Sequence, residues 1–155
     1  MWQALFDITN AIALIGWALL ILLPRRESVI YTILYGAIGL LCATYLVMLV
    51  ALVGNLVDPM PAAGAAADPG FDYSVEGLMA MFRSQGAIVV GWTHYLAFDL
   101  MVGWWIAGDA DARAIPRWSQ AGILLATLMA GPLGLAIYLF YRATRPGMET
   151  DDAAG

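Results

Sequence analysis

The sequence is poor in the residues that most soluble enzymes use for catalysis or metal binding. Among 155 residues it has no lysine, one histidine (His94) and one cysteine (Cys42), and only 12% of the residues are charged. A site built from several histidines or cysteines is therefore excluded within one chain, and so is an intramolecular disulfide bond. All seven basic residues are arginines and the net charge is −5, so we expect no nucleic-acid partner.

Apolar residues, in contrast, are abundant. They make up 62% of the chain, whereas its charged fraction is well below the quarter or so that is typical of soluble domains. Because a bilayer-spanning helix needs about 20 apolar residues, the long apolar segments predict an all-α integral membrane protein, a four-helix bundle. The predicted spans cover about residues 4–23, 29–55, 87–106 and 118–141.

The composition changes between the second and third predicted spans. Residues 58–72 are rich in proline, glycine and alanine, which predicts an irregular loop. Apolar residues then recur at helical spacing after Ser74, a good N-cap, and predict a short amphipathic helix at about 74–84 that lies on the membrane surface. We expect residues 1–145 to form one transmembrane domain and the tail, 146–155, to be disordered. Four spans would place both termini on one side of the membrane.

Two small-residue patterns predict close packing or bending. Gly39 and Ala43 are four residues apart, a spacing that lets another helix approach closely in a membrane. The stretch Gly131-Pro132-Leu133-Gly134 lies within the fourth predicted span. Because Pro132 removes one helical hydrogen bond, this stretch predicts a kink near the middle of the membrane.

Two ionisable residues, His94 and Asp99, lie near the middle of the third predicted span. A charge at that depth costs about 2.5–3.5 kcal/mol on insertion scales, so we expect both side chains to face protein or a wet cavity. Five residues separate them by roughly 140° around a helix, so they do not stack on one face. Tyr95 and Asp99 are four residues apart and can touch, which would let the phenol donate to the carboxyl group.

Three interpretations of these residues stay open. In a purely structural one, Tyr95 satisfies Asp99, and His94 bonds across the bundle to Asn10 or to a tyrosine of the second span. In the second, His94 and Asp99 are general acid–base groups. In the third they hold a metal ion, which would require further carboxylates or a second subunit because the chain has no other histidine. Aromatic and apolar residues of the third span could also line a slot for a long flat apolar ligand, although an aromatic stripe more often serves packing: Trp92, Tyr95, Phe98, Met101, Trp104 and Trp105. The candidate substrate-binding residues are Asn10, Trp92, Tyr95 and Phe98.

The phrase Gly91-Trp92-Thr93-His94-Tyr95-Leu96-Ala97-Phe98-Asp99-Leu100 resembles the signature of the abscisic-acid-deficient-four-like family, small membrane proteins of plastids and bacteria. Met81-Phe82 and the later Gly131-Pro132-Leu133-Gly134 are similar to its pattern as well, and the likeness runs from about Asn10 to Tyr141. In plants the family is required to form neoxanthin from violaxanthin. The resemblance therefore implies a carotenoid partner, functional roles for His94 and Asp99, and Trp92 and Tyr95 as the wall of the site.

Three functional hypotheses follow. The first is an enzyme that modifies a C40 carotenoid within the bilayer, either by isomerisation or rearrangement with proton transfer, or by oxidative cleavage to an apocarotenoid such as retinal. Cleavage with oxygen would require a redox metal; no cofactor is otherwise indicated. The second hypothesis is a non-catalytic carotenoid-binding or assembly subunit. A channel or carrier is a third, which the scarcity of polar residues disfavours. The expected partners are a carotenoid or another long isoprenoid and the bilayer of a bacterial inner membrane, and a homo-oligomer is compatible with the sequence.

Overall fold

The computed structural model describes residues 1–64 and 72–144, and within them the chain forms six helices. Among the described residues the β-type pairing is a single isolated bridge between Pro61 and Ser84. The all-α prediction is therefore confirmed. In chain order the helices are α1 (Trp2–Leu22), α2 (Glu27–Val53), α3 (Val75–Met81), α4 (Gln85–Ala112), α5 (Arg117–Met129) and α6 (Gly131–Ala143).

Three of these helices, α1, α2 and α4, are long and apolar enough to cross a membrane. They contain 21, 27 and 28 residues, whereas about 20 are needed to span the hydrocarbon layer. Within residues 1–64 and 72–144 no fourth helix reaches that length. The prediction of four spanning helices is therefore not confirmed, and the reason lies in how α5 and α6 are connected.

Helices α1 and α4 pack closely because glycines remove side chains from their contact. A Cβ atom at Gly103 would overlap the ring of Trp17, and one at Gly16 would overlap the side chain of Leu100. Trp17 and Leu100 are both buried. Between membrane helices, small residues at such contacts allow the backbones to approach, since packing there depends on fit.

Helix α2 contains a π-helical stretch, Thr32–Ile38, in its first half. This wider turn brings Ile33, Ala37 and Ile38 into the core together. The predicted contact at Gly39 and Ala43 is not formed within the described chain. Ala43 is exposed, and a Cβ at Gly39 would meet only the helix's own Leu34 carbonyl, 3.4 Å away.

The predicted fourth span is divided into two helices of 13 residues each, α5 and α6. The chain leaves helical geometry at Ala130, whose φ of −158° and ψ of 86° are far from helical values. Helix α6 then begins with Gly131 and Pro132, and proline is well tolerated in a first turn because its missing N–H has no helical partner there. The Gly-Pro stretch thus ends one helix and starts another instead of kinking a single one.

Helices α5 and α6 fold back on each other as a hairpin. At the start of α5, Arg117 Nη2 donates to the carbonyl of Leu23, 2.7 Å away, at the end of α1. Near the end of α6, the Tyr138 hydroxyl donates to Asp109, close to the end of α4. Gly131, the first residue of α6, lies instead against Asp99. We call the turn at Gly131 the apex of the hairpin and its other end, at Arg117 and Tyr138, the base. Asp99 and Asp109 are separated along α4 by about 15 Å, given the 1.5 Å rise per residue, so the apex and the base lie about that far apart along α4.

The hairpin corrects the predicted arrangement of the chain ends. The ring of Trp2 lies against Gly86, at the start of α4, and its Nε1 donates to the carbonyl of Asp58 at 2.9 Å. The end of α6 lies near Asp109, at the other end of the same helix. The start of α1 and the end of α6 are therefore at opposite ends of the bundle, whereas four spanning helices would have placed them at the same end.

The predicted amphipathic helix is present as α3. Ser74 Oγ accepts a hydrogen bond from the Gly77 N–H at 3.0 Å, so the N-cap is confirmed. Phe82, just after α3, lies against Gly91 of α4. Its position on the membrane surface stays a prediction. Part of the predicted loop, residues 65–71, and the predicted disordered tail, 146–155, lie outside the described residues.

Candidate functional site at the hairpin apex

Asp99 is the buried ionisable group at the apex of the hairpin. Its side chain is on the face of α4 that meets the start of α6, and the residue is only 9% exposed. The Tyr95 hydroxyl and the Gly131 N–H interact with the carboxyl group, so the predicted contact with Tyr95 is confirmed. Within the described part of the chain, Asp99 Oδ2 has no hydrogen-bond partner. A buried carboxyl oxygen without a partner is costly, which makes this atom a candidate for binding a ligand.

Gly131 is the backbone position that allows this contact. A Cβ atom there would overlap the carboxyl group of Asp99, so a residue with a side chain does not fit without movement. Gly131 also begins α6, and the first N–H groups of a helix have no partner within the helix and carry partial positive charge. Pro132 has no N–H, and the Gly134 N–H bonds to the Ala130 carbonyl at 3.1 Å. The Gly131 N–H therefore has no partner within the helix and is available to the Asp99 carboxyl group.

His94 does not share this site. It is exposed on the outer face of α4, where its ring stacks on Phe98 with 4.6 Å between the ring centroids. The ring of Tyr45, from α2, lies 5.6 Å away. Asp99 faces the protein interior as expected, whereas His94 is exposed in the described chain. The expected separation of the two side chains around the helix agrees with the structure. The rings of Phe98 and Tyr45 cover one side of the imidazole. The cost of inserting a charge into the membrane did not by itself predict this exposed position.

Asn10, Trp92 and Tyr95 form a row that leads to Asp99. Trp92 Nε1 donates to Asn10 Oδ1 at 3.1 Å, which joins α4 to α1. The rings of Trp92 and Tyr95 are stacked at 5.2 Å between centroids, and Tyr95 meets Asp99 in turn. The structure thus brings together four of the six predicted site residues, while His94 and Phe98 lie on another face.

A metal shell made of His94 and Asp99 is not assembled. The two side chains point to different faces of α4, and in the described ranges no group of three or more His, Cys, Asp or Glu side chains could hold an ion. The donors present at Asp99 are instead a phenol and a backbone N–H, which are hydrogen-bonding groups rather than metal ligands.

The profile of the family described as ABA DEFICIENT 4-like matches residues 4–138. The chain belongs to the ABA4-like family. This membership identifies it as a carotenoid-related membrane protein, and the matched region includes the whole apex site. No curated protein and no solved structure matches the chain.

The base of the hairpin in this ABA4-like chain is held by charged groups. The Arg25 side chain is only 6% exposed, and its Nη1 lies 2.8 Å from Asp111 Oδ2. Arg25 also donates to Gln120 and, at 3.1 Å, to the carbonyl of Ala107. These contacts tie the loop after α1 to the end of α4 and the start of α5.

A second group of contacts centres on Asp109. It accepts a hydrogen bond from the Tyr138 hydroxyl and lies 3.0 Å from the Nε atoms of both Arg113 and Arg142. The Arg142 guanidinium also lies over the ring of Trp105, 5.9 Å from its centroid. These contacts fix α6 to α4. Neither group of contacts was predicted from the sequence, although arginines and aspartates just beyond a predicted span were a signal for them.

This chain also has an apolar cavity away from Asp99. It has a volume of about 430 Å³ and lies between the first residues of α1 and the second half of α2. The side chains that line it carry no acid or base that could act on a ligand. The lining residues are Met1, Trp2, Leu5, Leu40, Ala43, Thr44, Val47, Met48, Ala51 and Val57.

Proposed function

We propose that this chain binds a carotenoid within the bilayer and rearranges or isomerises it at Asp99. The single observation that carries the proposal is the buried Oδ2 atom of Asp99, which faces the start of α6 and has no partner among the described residues. Membership of the ABA4-like family supplies the class of ligand. A carboxyl group retained at membrane depth is costly, which supports a chemical use for it.

Acid–base chemistry fits the groups around Asp99. A protonated carboxyl group can donate to a polyene carbon or to a ring oxygen and then take a proton from a neighbouring carbon. The ligand would leave as an isomer and Asp99 would regain its proton, so no oxidant is needed. The partial positive charge at the start of α6 would stabilise the carboxylate between the two steps. Oxidative cleavage has less support, because the donors beside Asp99 do not form a redox-metal shell.

The other predicted site residues receive roles within this proposal. Asn10, Trp92 and Tyr95 would form the wall along which the ligand reaches Asp99. His94, with Phe98, would meet a long ligand at a second point on the outer face of α4. An imidazole there can exchange a proton, so His94 stays a candidate acid–base group that is separate from Asp99.

A non-catalytic pigment-binding subunit is the second candidate function. The observation that favours it is the apolar cavity of about 430 Å³ between α1 and α2, which can hold a hydrocarbon chain without any chemistry. In this alternative, Asp99 would serve only to hold the hairpin apex.

The two functions separate when the chain is expressed in a carotenoid-accumulating host and the pigments are analysed by chromatography. We expect a new pigment from the wild type, none from Asp99→Asn, and carotenoid co-purifying with both proteins. The matched control is Asp7→Asn, because Asp7 is exposed and bonds only to Gln3 in the described chain. Product from Asp99→Asn would refute the catalytic proposal, whereas co-purification without any product from the wild type would support the binding subunit.

A further inference from the structure

The hairpin covers only one half of α4. Between its base and its apex it packs along α4 from Asp109 to Asp99. On the other side of the apex the same face of α4 continues for about 16 Å to Ile88, at 1.5 Å per residue. There Ile88 is 49% exposed and Trp92 is 40% exposed. On this side of the apex, therefore, the hairpin leaves α4 uncovered. Trp92 also bonds to Asn10 of α1, and its ring stacks on Tyr95, which meets Asp99.

The half of α4 between the apex and the base of the hairpin is covered by packed side chains. Ile106, on the same face of α4, is fully buried, and so is Leu124 of α5. Beyond them lie the ion pairs of Arg25 with Asp111 and of Arg142 with Asp109. A lipid-soluble molecule that approached Asp99 from this end would have to separate both ion pairs and a packed core.

The two ends of the bundle also differ in charge. Because the hairpin returns α6 to its base, Arg142 lies at the same end as the loops after α1 and after α4. In the described part of the chain that end has five arginines and the opposite end has one, Arg83. Arginines near the ends of spans favour the cytoplasmic side of a membrane. The five arginines of this end, which we call the arginine-rich end, are Arg25, Arg26, Arg113, Arg117 and Arg142.

We propose that the Asp99 site is open to one leaflet only, the non-cytoplasmic leaflet, and that its lipid-soluble ligand enters along the uncovered face of α4. The inference rests on the proposed function only in that Asp99 receives a ligand from the lipid. It adds the side from which the ligand comes and the surface, Ile88 to Tyr95, along which it moves.

Orientation is tested first, with single cysteines in a Cys42→Ser background. Glu27→Cys lies at the arginine-rich end and Ala62→Cys at the opposite end, and both positions are exposed. We expect a membrane-impermeant maleimide to label Ala62→Cys but not Glu27→Cys in intact cells, and both in lysed membranes. Labelling of Glu27→Cys alone in intact cells would overturn the assignment of the leaflet.

Access is tested with a phospholipid that carries a diazirine at the end of one acyl chain. The probe is added to the outer leaflet of right-side-out or of inside-out vesicles, irradiated, and its adducts are located by peptide mass spectrometry. We expect adducts at Tyr95 or Asp99 only from the leaflet on the Ala62 side. The internal control is Met129, which is 79% exposed beside the apex and should react from both leaflets. Equal labelling of Asp99 from both leaflets would overturn the proposal.

A matched pair of variants tests the route itself. Ile88 and Ile137 are both about half exposed, at 49% and 43%, but Ile88 lies on the uncovered half of α4 and Ile137 lies on the hairpin. Ile88→Trp should reduce the Asp99 adduct several-fold, since an indole would lie in the path of the acyl chain, and Ile137→Trp should leave it unchanged. The reverse result would refute the route. Pigment chromatography is independent of these labelling results, so a failure of the proposed chemistry and a failure of one-sided access are distinguishable.

Discussion

At its base the hairpin is held by paired charges, whereas at its apex one carboxyl group meets a glycine and keeps an oxygen atom that has no hydrogen-bond partner among the described residues. Arg25 and Asp109 at the base each have oppositely charged neighbours, and no arginine of the described residues pairs with Asp99. Both ends lie against the same helix, α4. We infer that the charge pairs at the base stabilise the hairpin, whereas the buried Asp99 carboxyl at the apex destabilises it to some extent and stays available to a ligand.

Arg25→Met should have the largest effect on stability, because it removes the charge that Asp111 and Gln120 bond to. Loss of one partner of a buried ion pair costs about 3–5 kcal/mol, and we expect about 2–3 kcal/mol here since the Asp111 side chain is 42% exposed. Reversible unfolding in mixed detergent micelles measures it. The control is Arg26→Met, an exposed neighbour that should change the unfolding free energy by less than about 0.5 kcal/mol. Equal effects at the two arginines would remove the distinction between base and surface.

Gly131→Ala tests the apex and should have the next largest effect. Its new methyl group would overlap the Asp99 carboxyl, and such overpacking typically costs about 1–3 kcal/mol. At Gly122 of α5, in contrast, no atom lies within 4 Å of an added Cβ, so Gly122→Ala should be neutral or stabilising. The double variant Asp99→Ala/Gly131→Ala should recover part of the loss, because the overlap disappears. Additive effects would mean that Gly131 and Asp99 are not in contact.

Asp99→Asn compares stability with function directly. Because no charged group of the described residues pairs with Asp99, the neutral amide should leave the unfolding free energy unchanged or raise it by up to about 1 kcal/mol, while new pigment is lost. Unfolding in micelles and pigment chromatography on the same variant give both numbers. A destabilisation as large as that of Arg25→Met would mean that the apex carboxyl group is structural, as the binding-subunit alternative requires.

Features of the fold that depend on neighbouring residues could be predicted from the sequence. The path of the chain after the Gly-Pro stretch, which depends on contacts with distant residues, could not. The cap at Ser74, the contact of Tyr95 with Asp99 and the three long helices follow from spacing and length. A Gly-Pro stretch also predicts an interruption, but α6 turns back because distant residues, Asp109 above all, bind its far end. The cost of burying a charge predicts an interior position for His94, yet stacking on Phe98 accommodates it at the outer face.

His94→Ala should have the smallest effect on stability, and it separates the two faces of α4. His94 is exposed and contributes ring contacts to Phe98 and Tyr45, so its removal should change the unfolding free energy by less than about 0.5 kcal/mol. Pigment chromatography then decides its role. If His94 meets the ligand at a second point, His94→Ala should slow product formation without abolishing it, and His94→Phe, which keeps the ring contacts, should slow it equally. Full activity in both variants would confine the chemistry to the apex and leave His94 as part of the lipid-facing surface. A complete loss in both would place the reacting atoms on the outer face of α4, where the hairpin and Gly131 have no part.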